Sequence, residues 1–123
     1  MASAKWFVKN EQLVFNMKLV QTYITVPDYN DCFVKFRVMN TEYQLRFSWN
    51  DSEHRWYFGI YDALRNPMFI GMKVVPWLPL NQFCGIDELY RFAFIVKTKN
   101  EAVGRNDFLN GAAQMVCATL EAD

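Results

Sequence analysis

Between residues 33 and 61 the chain alternates apolar and polar side chains with a period of two, and this pattern commits the middle of the protein to antiparallel strands. Val34, Phe36 and Val38 fall on one side of the first run, with Phe33, Lys35, Arg37 and Met39 on the other. Asn40-Thr41-Glu42 reads as a turn. Tyr43, Leu45, Phe47 and Trp49 then alternate with Gln44, Arg46 and Ser48, as expected of a strand with one buried and one polar face. Six polar residues, 50–55, interrupt the pattern. Trp56, Phe58 and Ile60 resume the inward side, with Tyr57, Gly59 and Tyr61 outward, so the span predicts a three-stranded meander.

The flanks extend this reading. Residues 62–67 make another turn, ending in Pro67, and residues 68–75 a fourth strand in which Gly71 suggests a bulge or a close backbone approach. Pro76-Trp77-Leu78-Pro79-Leu80 suits neither a central strand nor a helix interior, because each proline lacks a backbone donor and restricts the residue before it; an ordered apolar loop is expected. Strand character returns over 90–98, with Tyr90, Phe92, Phe94 and Val96 on one face. A turn at 99–101 and a further strand should follow. Residues 105–111 look like one helical turn, which Asn106 or Asp107 would cap and Gly111 would end. Residues 114–120 close the chain as a last strand, and 13–26 hold one or two more. The expected fold is all-β, a small antiparallel β-barrel or sandwich with at most one short helical turn near 106–111. Residues 1–22 read as an N-terminal extension or first strand, and 23–123 as a single β domain.

Composition narrows the function. Thirteen basic against 13 acidic side chains remove any overall pull toward nucleic acid or anionic membrane. No apolar run approaches the length of a membrane span, and the start lacks the apolar region of a secretory signal. The three cysteines, Cys32, Cys84 and Cys117, share no metal or redox spacing and read as buried free thiols. The single histidine, His54, lies in the most polar turn, and the close carboxylate pairs Asp51/Glu53 and Asp87/Glu88 read as charged turn residues. The expectation is therefore no catalytic residue, no metal and no cofactor; a small hydrolase using a cysteine or His54 is the enzymatic rival. Tyr57 and Tyr61 on an outward face beside Lys35, Arg37 and Arg46, with Trp77 on its loop, leave a second alternative: a β-barrel binding module for single-stranded nucleic acid or carbohydrate. Twenty-one aromatic residues exceed what a core of this size needs, and aromatics, Met and Arg are the residues enriched at protein interfaces.

Three segments carry a family resemblance: Tyr43-Gln44-Leu45-Arg46-Phe47-Ser48-Trp49-Asn50, then Arg55-Trp56-Tyr57-Phe58-Gly59-Ile60-Tyr61-Asp62, then Asn66-Pro67-Met68-Phe69-Ile70-Gly71. A strand ending in Trp-Asn, a polar turn, a strand opening on Trp-Tyr and a Pro-hydrophobic-hydrophobic-Gly continuation resemble the small baseplate plug proteins of contractile-tailed bacteriophages. The turn 105–111, containing Asp107, is similar to an Arg-Asp-Asp-Leu-Gly-like turn of that family, and the likeness covers roughly residues 23–120. The chain departs from the pattern at 75–80, where the family carries a glycine-containing Val-x-Gly-x-Asp-Leu-Leu segment. The resemblance implies a structural component of the virion tail baseplate, made in the host cytoplasm and seated at the hub between tail tube and spike. It would plug or organise the distal end of the tube, in several copies of a symmetric assembly. Its partners would be other tail proteins, with no membrane and no specific nucleic acid. On this reading Phe47, Trp49, Trp56, Phe58 and Ile60 are core, Asn50, Pro67, Gly71 and Asp107 motif positions, and Phe33, Arg46, Tyr57, Tyr61 and Trp77 subunit contacts.

Overall fold

A computed structural model describes residues 17–122. Seven strands, β1 (Met17–Ile24), β2 (Asp31–Val38), β3 (Thr41–Asn50), β4 (Arg55–Asp62), β5 (Pro67–Lys73), β6 (Phe92–Thr98) and β7 (Ala113–Ala122), form two antiparallel sheets. One has the order β1-β7-β6 and the other β2-β3-β4-β5. The sheets face one another without closing, so of the two expected architectures the sandwich is the one formed. β1 pairs along its whole length with β7 and runs across residue 22; the part of the predicted N-terminal strands before Met17 lies outside the described residues.

The meander forms as the alternation predicts, and its turns have specific chemistry. Met39 and Asn40 both take positive φ, the two-residue turn whose twist matches the flanking strands, so the reversal sits one residue earlier than expected. Asp62 organises the β4–β5 turn by accepting the backbone N–H groups of Leu64 at 2.9 Å and Asn66 at 2.8 Å. The predicted bulge is present: Phe58 pairs with Met72 and Ile60 with Phe69, which leaves an extra β5 residue opposite Gly59, and Gly71 takes a φ of 76°.

The inward rows meet in an aromatic core. Tyr43, Leu45, Phe47, Trp56, Phe58 and Ile60 are buried from one sheet, and Phe92, Phe94, Val96, Met115 and Cys117 from the other. Phe94 joins the layers, with ring centroids 5.3 Å from Phe58 and 5.9 Å from Phe36. Each fully buried ring contributes about 1.5–3 kcal/mol of transfer free energy. Trp49, expected in the core, is half-buried: it pairs with Trp56 at the end of the sheet and donates its indole N–H to Asp51 at 3.3 Å.

Two expectations fail between β5 and β7. Tyr90 belongs to a 3-10 helix, Asp87–Arg91, and is half exposed, so β6 begins at Phe92. No strand forms between residues 99 and 106; Val103 is buried there and the indole of Trp56 donates to the Gly104 carbonyl at 3.0 Å. The helical turn α1 (Asp107–Asn110) is present and ends on Gly111 in the left-handed region. Asn106 is its N-cap without a side-chain bond; the Asp107 carboxylate instead turns back to accept the Gly104 N–H at 2.7 Å. Phe108 from this turn closes one end of the core against Trp56 and Phe47.

Candidate interaction surfaces

Four of the five predicted contact residues come from one place, the outer face of the β2-β3-β4-β5 sheet. Phe33, Arg46 and Gly59 stand in one cross-strand row, and Asp31, Ser48 and Tyr57 in the next. Gly59 leaves its place in the row empty, and the Tyr61 ring leans into it; a Cβ at Gly59 would lie 3.2 Å from the ring. There Tyr61 meets Phe33 edge to face, centroids 4.9 Å apart. Arg65, held in the left-handed region at the β4–β5 turn, folds back to cover the other side of Phe33 at 4.1 Å and donates to Gln44 at 2.9 Å. The result is a cluster in which Phe33 meets Tyr61 edge to face and the Arg65 guanidinium over its ring.

Tyr61 is consequently 8% exposed, not the outward ring the alternation predicts. Its position on the outer face is as expected; what the sequence reading missed is the cover. Arg46 is also engaged, through two bonds to the Asp31 carboxylate at 2.8 and 2.7 Å and one to the Tyr61 hydroxyl at 3.3 Å. The bonded guanidinium holds the Asp31 carboxyl below the usual range, and the same pairing raises Arg46. Tyr57 remains half-exposed and donates to Glu53, a bond that raises its hydroxyl pKa. Tyr61, covered, and Arg46, paired to a carboxylate, are thus two groups of this face already engaged within the chain, where a nucleic-acid or sugar platform uses free rings and cations.

Trp77 lies elsewhere, beside β6. Its backbone N–H donates to the Val96 carbonyl at 2.9 Å and its indole to the Thr98 carbonyl at 2.8 Å. Leu80 donates to the Phe94 carbonyl at 2.8 Å. Asn81, 2% exposed, donates to the carbonyls of Leu89 and Phe92 and accepts the Phe94 N–H at 3.0 Å. The predicted apolar loop is therefore a backbone strap along the edge of β6, and Trp77 stands at its start, 59% exposed, with a φ of 65°. A non-glycine residue in that region costs on the order of 1–3 kcal/mol and persists only where its surroundings hold it.

Residues with chemical potential elsewhere are arranged for structure. His54 is exposed in the β3–β4 turn, its ring 6.4 Å from Trp49. Burial pushes the Cys117 thiol up to about 12 and also raises Cys32, opposite to the shift that activates a nucleophile. Cys32 and Cys84 are half-buried and Cys117 is buried, so the expected full burial holds for one of the three thiols. Among the described residues no group of three or more His, Cys, Asp or Glu side chains is placed to hold a metal ion. Arg105 joins two loops by donating to Asn30 at 2.6 Å and Asp28 at 3.0 Å while lying over Trp56. Arg65 and Asn81, central to the two surfaces, had no signal in the sequence beyond their places in a turn and after a proline-bounded loop.

The described residues form a seven-stranded antiparallel sandwich, the class of fold into which the chain falls, with partners for every buried side-chain polar atom and an exposed, hydrogen-bonded tryptophan at one edge. A family model described as the cyanophage baseplate Pam3 plug gp18 matches residues 20–119, nearly the whole described sandwich. The chain belongs to this phage baseplate plug family, and its place is the baseplate of the virion tail, among other baseplate proteins. No curated protein matches the chain.

Proposed function

We propose that the protein is a non-enzymatic subunit packed at the baseplate hub between tail tube and spike, where it closes or organises the distal end of the tube until infection. The observation that carries this reading is the plug-family match across residues 20–119. The outer face of the larger sheet is braced by the Arg46–Asp31 pair and the edge-to-face contact of Phe33 with Tyr61, which is compatible with a packed structural subunit. Its neighbours are hub, tube and spike proteins, and several copies sit in a symmetric arrangement. Of the predicted five contact residues Trp77 is the most exposed, Phe33, Arg46 and Tyr57 are half-exposed, and Tyr61 is covered. Electron cryomicroscopy of tails made with and without the gene tests the placement. Density at the distal tube end beside the hub should vanish without it; unchanged density there would overturn the proposal.

A further inference from the structure

The outer face of the β1-β7-β6 sheet is apolar, where the solvent face of an antiparallel sheet is ordinarily polar. Leu19, Ile95, Val116, Ala118 and Leu120 line an open groove of about 390 Å³. Trp77 and Tyr90, 59% and 50% exposed, also line it. Trp77 is fixed by two hydrogen bonds and held in a left-handed conformation, so this wall of the groove is preorganised rather than a ring free to collapse onto the floor.

The charge that the described residues place around the groove has one sign: Arg91 and Lys97 line it, and among the described residues no aspartate or glutamate does. Lys97 donates to Gln21 at 3.2 Å and to Tyr23 at 2.9 Å, both neutral acceptors, and lies 5.2 Å from the Tyr23 ring; it has no carboxylate partner among the described residues. Glu88, in the same 3-10 helix as Arg91, spends its carboxylate on the Tyr43 hydroxyl at 2.6 Å.

We propose that this groove docks an apolar, carboxylate-bearing segment of a neighbouring baseplate protein. The apolar floor and aromatic wall receive its side chains, and Arg91 and Lys97 pair with its carboxylate. Two other occupants have the wrong charge. A second copy packed through the same face would place the basic residues of both copies in one interface, with no acidic lining residue among the described ones to meet them. Residues 1–16 carry Lys5 and Lys9 against the single Glu11, a net charge of the same sign as the groove's, which disfavours them as a whole; a crosslink to Glu11 or the apolar residues that follow it is the outcome that would show otherwise. The inference rests on the baseplate reading above.

The test is photocrosslinking in assembled phage tails, with p-benzoylphenylalanine replacing Trp77 at the wall and, separately, Ile95 at the floor. The exposed aromatic-for-aromatic change at 77 keeps the experiment informative where the bulkier ring at 95 disturbs folding. The expected crosslink, located by mass spectrometry, joins the groove to an apolar Asp- or Glu-containing stretch of a different baseplate protein. In the Trp77-labelled chain, Arg91→Glu with Lys97→Glu should lower its yield roughly tenfold, while Arg91→Lys with Lys97→Arg should preserve it. Crosslinks to a second copy, to residues 1–16 or to a segment without a carboxylate would overturn the proposal. So would a yield indifferent to charge reversal, or no crosslink in tails that contain the protein. Purified wild-type tails lacking the protein altogether would instead refute the baseplate placement, and the docking with it.

Discussion

Removing the Phe33 ring separates its role within the chain from any role toward a neighbour. In Phe33→Ala the edge-to-face pair with Tyr61, at 4.9 Å, is lost, a contribution of about 0.5–1.5 kcal/mol. The Arg65 guanidinium at 4.1 Å loses its ring, about 0.5–1 kcal/mol at a partly exposed site. Arg46, 5.8 Å from the centroid, is near the limit of such an interaction and adds little. Uncovering apolar area on a half-buried ring adds about 1 kcal/mol, for a sum of about 2–3.5 kcal/mol. In a domain of this size that corresponds to a melting temperature lower by on the order of 10–20 °C. Urea unfolding followed by tryptophan fluorescence measures the loss, and a double-mutant cycle with Arg65→Ala should return a coupling of about 0.5–1 kcal/mol. A loss below about 0.5 kcal/mol, or an additive cycle, would refute the cluster as a stabilising unit. If such a variant also failed to enter baseplates, Phe33 would be a contact residue and not a brace.

The two surfaces and their turns yield further expectations. Asn81→Ala should cost on the order of 3 kcal/mol by thermal unfolding and shift the Trp77 emission, because three buried backbone groups lose their partner; unchanged emission would show that the strap stays docked without the amide. Gly71→Ala and Gly59→Ala should differ in kind. The first meets nothing within 4 Å and costs about 1–2 kcal/mol through its positive φ, whereas the second must displace the Tyr61 ring, so Tyr61→Ala in the same chain should rescue Gly59→Ala but not Gly71→Ala. Asp31 and Asp62 both have lowered pKa values, the first through Arg46 and the second through Asn66. Their contribution is therefore complete above the unfolded carboxyl pKa of about 4 and is lost as pH falls through the lower folded values. Melting temperature should drop on acidification below that point, and less steeply in Asp31→Asn.

How much could be read from residues alone depends on whether a contact follows the chain's own periodicity. β3 and β4 were legible because one face is buried and a slip by one residue would turn Phe47 and Trp56 to solvent. The helical turn at 107–110 was legible from Asn106 and Gly111. Tyr90 fits the alternation of Phe92 and Phe94, yet the acidic Asp87-Glu88 pair opens a 3-10 turn that carries it out of the strand. The cover over Tyr61 depends on a missing side chain at Gly59 and a left-handed Arg65, neither of which has a period. The apolar outer face of β6 was visible in principle: with Phe92, Phe94 and Val96 inward, Ile95 falls on the opposite side, the pattern of a strand covered on both faces.

Asn81 gives the edge of β6 a property that an ordinary neighbouring strand would not. A strand partner is a run of consecutive residues whose backbone must keep its register, so insertions there break the pairing. Here the strap's last hold on β6 is one side-chain amide, anchored on Leu89, Phe92 and Phe94, after the backbone bonds of Trp77 and Leu80. The stretch 82–86 that leaves it is free of the ladder. Substitutions or insertions at residues 82–83, Phe83 at 79% exposure among them, should leave the sheet intact, whereas Cys84 and Ile86 pack against the core. Mutational tolerance should accordingly be high at 82–83 and fall sharply at 81, an abrupt boundary within a single loop.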